Sequence, residues 1–171
     1  SLQQPLDVDV QQLSETAREC VSLFQLLAQR VKLDGLETLG GYIISMTHEV
    51  SDIVAVLWLW QRTWLSIAGN ESVPCLPIVP LFETIDDLDR APVIMESLWE
   101  ISEYRDYIRS RESPTQTVMI GYSDSTKDGG YLAASWRLHQ SQSELAALAE
   151  KHGLRLVIFH GRGGALGRGG G

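Results

Sequence analysis

Long hydrophobic runs are missing from this chain. Its most apolar stretch, Ile53 to Trp60, meets Gln61 and Arg62 far short of the roughly 20 residues that a membrane-spanning helix needs, so a buried helix is expected there. Nothing near the first residue reads as a secretory signal. Cysteine is scarce: Cys20 and Cys75 have neither CxxC nor metal-ligand spacing. That excludes a disulfide scaffold or zinc ribbon and predicts free, mostly buried thiols in a reducing cytoplasm. Basic residues are the minority, and a formal net charge of -8 argues against a nucleic-acid backbone as general partner. Such affinity comes largely from Lys and Arg neutralising phosphates. Repeats at a fixed spacing and Ser/Pro-rich linkers are absent too, so residues 1–171 read as a single segment.

What is present is an ordinary globular balance, 44% hydrophobic and 21% charged, in which helical and strand patterns alternate. Apolar residues at Leu13, Ala17, Val21, Phe24, Leu27 and Ala28 predict an amphipathic helix over Gln11 to Arg30, with Asp7 or Asp9 near its start. Tyr42 to Met46 reads as a short strand ending at Thr47 and His48. A helix capped by Ser51, with Asp52 in its first turn, runs to about Ala68 and stops at Gly69-Asn70. Trp58 and Trp60 lie about 200° apart on it, which predicts covering from two sides. Pro77 to Phe82 is the next strand, its pairing weakened by Pro80. One helix is expected from Asp87 to about Arg109, with Leu88, Ile94, Met95, Leu98, Ile101 and Tyr104 inside. Thr117 to Tyr122 reads as a strand covered on both faces. Gly129-Gly130 opens a helix to His152, closed by Gly153, and Leu154 to Phe159 is the last strand. Four parallel strands joined by right-handed helical crossovers suit a doubly wound sheet or half of an eight-stranded barrel.

In such a sheet the strand ends meet on one rim, and ionisable residues gather there. PIVPLFE ends on Glu83, TVMIGYSDSTKD on Asp124 and Lys127, and LRLVIFHGRGG on His160 and Arg162. Carboxylates of neighbouring strand ends, here Glu83 and Asp124, can hold one hard divalent cation, with water and an anionic substrate completing the coordination. The competing reading makes Asp124, and Glu83 or Asp86, caps of the helices that follow. Seven of the last eleven residues are glycine, and Arg162 and Arg168 stand among them. Glycines let amides approach an anion, and guanidinium forks match phosphate or carboxylate, so the composition is that of an oxyanion cradle. A dinucleotide turn, an RGG-type RNA-binding tail and a plain surface loop are the other readings. They keep open a second function class, an anion- or RNA-binding α/β module. His160 either faces an anion or bonds a neighbouring strand. For His48, a solvated or backbone-bonded ring is expected, and His139 and His152 lie on different helix faces.

Together PLFETIDDL, MIGYSDSTKDGG and FHGRGGALGRGG, preceded by YIISM and an SD-x-x-AV string, resemble the bacterial-type phosphoenolpyruvate carboxylase family from about Leu33 onward. Residues 1–32 match less and read as a helical lead-in. The resemblance implies part of a (β/α)8 TIM-type barrel from a cytoplasmic homotetramer with no nucleic-acid or membrane partner. It implies a carbon-carbon lyase that joins bicarbonate to phosphoenolpyruvate, giving oxaloacetate and phosphate with Mg2+ or Mn2+. Glu83 and Asp124 then match the metal ligands. Lys127, His160, Arg162 and Arg168 match groups around the substrate and its transferred phosphate, with residues 160–171 as the active-site loop. The family's TAHPT histidine motif and further substrate arginines are not in this chain, so an internal segment without activity of its own is expected. Two departures stand out: His48-Glu49-Val50 where the family commonly has Thr-Pro before Ser-Asp, and Gly129-Gly130 where it usually has Ala-Gly.

Overall fold

The computed structural model describes residues 12–121 and 131–161, with the side chains of 131–134 left aside. Four strands form one sheet in the order β1-β2-β3-β4, and all pair in parallel as expected: β1 Tyr42–Ile44, β2 Ile78–Phe82, β3 Thr115–Gly121 and β4 Arg155–Gly161. Among the described residues five α-helices connect or precede them: α1 Glu15–Asp34, α2 Val50–Ala68, α3 Ile85–Glu100, α4 Ser102–Arg109 and α5 Tyr131–Lys151. This is the alternating α/β architecture that part of a (β/α)8 barrel requires.

Strand alternation decides which side each residue serves. Phe82 is level with Ile120, and Ile120 with His160, so these three share a face. Phe82, Val118 and Ile120 are fully buried on it under the helices. Leu81, Met119 and Phe159 share the other face, where Phe159 and Ile43 are 53% and 49% exposed. The cover of β3 is uneven rather than equal on both faces as its apolar run predicted: its burial alternates between intermediate and buried along most of its length.

Local chemistry moves several helix boundaries. Helix α1 starts after Ser14, whose side chain accepts from the Ala17 N–H, and runs to Asp34, four residues beyond the expected Arg30, with Gly35 as its C-cap. Asp7 and Asp9 lie outside the described residues. Glu49, not Ser51, precedes α2, because Asp52 turns back to accept the N–H groups of both His48 and Glu49 at 2.9 Å. Of the two sides of α2 expected to need cover, one is covered by the described residues. Trp60 is fully buried and donates from Nε1 to the Pro74 carbonyl at 2.8 Å, whereas Trp58 is 39% exposed with the Arg62 guanidinium over its ring.

The single helix expected from Asp87 to Arg109 is two helices. Ile101 leaves helical geometry at ψ 117°, and the chain turns there. That turn carries Tyr104 and Tyr107 inward. The Tyr104 hydroxyl donates to Gln116 Oε1 at 2.9 Å, and Gln116 Nε2 donates to the Ile78 carbonyl at 3.1 Å, tying α4 to β3 and β2. The Tyr107 hydroxyl donates to the Leu76 carbonyl, and the Cys75 thiol to the Tyr107 carbonyl. Cys75 is thus buried as expected, but Cys20 is exposed. At the far end of α5, Gly153 adopts φ 67°, the left-handed geometry that closes a helix.

Candidate active site at the strand ends

Glu83 follows the last residue of β2, and its half-buried side chain sits beside the end of β3. The neighbour there is Gly121. A Cβ on that glycine would lie 3.3 Å from Glu83 Cγ and 3.4 Å from its Cα, so a side chain at 121 would crowd the acid. By alternation from Leu81, Glu83 continues the face that carries Leu81, Met119 and Phe159. A carboxylate is a hard oxygen donor suited to Mg2+ or Mn2+, so the residue fits the cation that the motif implied. No group of three or more acidic, histidine or cysteine residues able to hold a metal occurs among the described residues.

The turn carrying Glu83 is built as a helix start. Thr84 caps α3, its hydroxyl accepting from the Asp87 N–H at 3.1 Å. The Asp87 carboxylate accepts the Thr84 N–H at 3.1 Å and the Glu83 N–H at 3.4 Å. The helix is therefore capped by Thr84 and Asp87, which the T-x-x-D spacing of TIDD could have shown, and neither Glu83 nor Asp86 is needed for it.

Asp87 also reaches the loop after β1. Its Oδ1 lies 3.0 Å from His48 Nδ1, and its side chain is only 6% exposed. Burial pushes the Asp87 carboxyl up, but hydrogen bonds from the Thr84 and Glu83 amides, the Thr84 hydroxyl and His48 outweigh it, holding the group below the usual carboxylate range. The ring of His48 is thus paired with a carboxylate, against the expectation of a solvated or backbone-bonded histidine. Arg90 donates to the His48 carbonyl, and Asp52 accepts its N–H. A groove of about 480 Å³ beside this histidine is lined by Glu49, Asp89, Arg90 and Val93 among others; Glu83 does not line it.

His160 stands in β4 level with Ile120, one residue short of the strand end. The register puts it on the helix-covered face, so Glu83 and His160 share the rim but leave the sheet on opposite sides. Asp124, Lys127, Arg162 and Arg168 lie outside the described residues, as does the Gly129-Gly130 helix start.

Parallel β/α units with an acidic residue at a strand's C-terminal end place the chain in the α/β class, as part of a doubly wound sheet or of an eight-stranded barrel. The comparisons narrow this to one family. The chain matches the phosphoenolpyruvate carboxylase family over residues 1–171, and it belongs to that family. It is 45% identical over 168 residues to the phosphoenolpyruvate carboxylase of Mycobacterium leprae, covering 98% of this chain and 18% of that protein. It is 41% identical over 170 residues to the enzyme of Prochlorococcus marinus, covering 98% of this chain and 17% of the relative. The corresponding protein of Thermosynechococcus vestitus is 39% identical over 172 residues, which is 100% of this chain and 17% of its own length. The chain thus spans less than a fifth of the curated relatives it matches.

Proposed function

We propose that this segment supplies part of the active site of an enzyme that carboxylates phosphoenolpyruvate with bicarbonate, releasing oxaloacetate and phosphate. The observation that carries the reading is the placement of Glu83 beside Gly121 at the rim of the sheet, in a chain whose whole length matches the family. Glu83 and Asp124 hold Mg2+ or Mn2+, which when bound supplies positive charge to a developing enolate and to phosphate oxygens. Lys127, Arg162 and Arg168 bind the phosphate and carboxylate of the substrate, with guanidinium forks matched to both groups. His160, which begins the glycine-rich stretch of residues 160–171, acts with those arginines on the substrate and its transferred phosphate. The assembly is a cytoplasmic homotetramer, as the family resemblance implies. Among the described residues, no helix is long and apolar enough to cross a membrane.

Replacing Glu83 by Gln in the full-length protein keeps the side chain's shape and removes its charge. Turnover is expected to fall on the order of 10²-fold, with weakened Mn2+ binding read by electron paramagnetic resonance of the free ion. Unchanged turnover together with unchanged Mn2+ binding removes Glu83 from the site.

A further inference from the structure

The loop after β1 and the turn after β2 are fastened together through one buried carboxylate. Asp87 accepts the Thr84 and Glu83 N–H groups with Oδ2, at 3.1 and 3.4 Å, and meets His48 Nδ1 with Oδ1 at 3.0 Å. His48 is held at three points: ring Nδ1 by Asp87, the N–H by Asp52 at 2.9 Å, and the carbonyl by Arg90. The two loops come from successive strand ends, and α3 grips both, through Asp87 in its first turn and Arg90 one turn later.

We infer that His48 and Asp87 are positioning residues for Glu83, resting on the reading of Glu83 as a metal ligand. The backbone of Glu83 is held from below by an acceptor that is itself aimed by the imidazole. A carboxylate that accepts two amides and one ring has its rotamer fixed, so the peptide between Phe82 and Glu83 has one place to be. His48 reaches no reacting atom in this arrangement; it acts through Asp87. The pairing also gives a use to His48-Glu49-Val50, the string that departs from the family pattern. His48 supplies from the β1–α2 loop the partner that Asp87 needs on its second oxygen.

Partners that orient a metal ligand typically change metal affinity by about 10-fold or more when removed. In the full-length protein, His48→Ala is expected to raise the Mn2+ concentration for half-saturation by about 10-fold, read by electron paramagnetic resonance without substrate. His48→Asn places an amide nitrogen near the position of Nδ1 and is expected to restore the affinity to within about threefold of the parent. Because the His48 side chain is 46% exposed, His48→Ala is expected to melt with the parent protein. Asp87→Ala removes the acceptor itself and loses Mn2+ affinity at least as strongly. The KM for phosphoenolpyruvate measured at saturating Mn2+ stays near the parent value in both histidine variants. If His48→Ala and Asp87→Ala bind Mn2+ as the parent does while Glu83→Gln does not, the positioning role is overturned and the metal reading survives. If Glu83→Gln binds Mn2+ normally, both fall together.

Discussion

A Cβ added to Gly121 would lie 3.3 Å from Glu83 Cγ, tighter than nine in ten Cβ contacts in folded proteins. The end of β3 is therefore kept bare beside the acid that closes β2, and a small change at one residue is transmitted to the other.

Gly121→Ala tests that transmission. The backbone of Glu83 must give by a few tenths of an ångström, so the full-length variant is expected to fold and to lose about tenfold in turnover, since misplacement by about 1 Å costs roughly 10²-fold. Gly121→Val is expected to lose more. Steady-state rates at varied Mn2+ check it, and parent-like kinetics in both variants would show that the contact carries no catalytic weight.

Two tryptophans two residues apart should respond very differently. Trp60→Phe abandons the Pro74 carbonyl in a buried site and is expected to cost about 1–3 kcal/mol. Trp58→Phe gives up only an exposed guanidinium contact and is expected to cost less than about 1 kcal/mol. Chemical unfolding midpoints of the two variants measure the difference.

Alkaline pH should unfold this layer of the protein. Burial raises the phenol of Tyr104, and that of Tyr107 well above its ordinary value, so the folded state holds their protons more tightly than the unfolded chain. Their contribution is fully present below about pH 10, where the unfolded phenols begin to ionise, and is lost as pH rises toward the folded values. Tyr104→Phe should flatten that alkaline limb while leaving Gln116 Oε1 without its donor. Stability measured from pH 8 to 11 reads both effects.

Residues 1–171 expressed alone are expected to associate and to make no oxaloacetate. Ile43 and Phe159 expose about half their surface on the open face of the sheet, and among the described residues β1 and β4 lie at its edges. Sedimentation and an oxaloacetate assay check this together; an active, monodisperse monomer would contradict it.

Element order, parallel pairing and strand adjacency were legible because apolar periodicity and glycine stops mark them directly. The rim position of Glu83 was legible for the same reason, as the residue after a short apolar run. What was not legible arose from contacts between distant residues. The break at Ile101 follows from drawing Tyr104 and Tyr107 toward Gln116 and the Leu76 carbonyl, and no local breaker residue announces it. The engagement of His48 by Asp87 joins residues 39 apart in sequence. Trp58 was expected under cover because helical spacing gives the direction of a side chain, while only the tertiary structure shows what lies there.

The most direct measurement of the central claim is a crystal of the full-length protein soaked in Mn2+, with the ion located by its anomalous scattering. The account predicts a manganese peak at the C-terminal rim of the sheet, about 2.0–2.6 Å from a Glu83 carboxylate oxygen and bound by Asp124 as well. A manganese peak held by other residues, with the Glu83 carboxylate more than about 4 Å away, would contradict it.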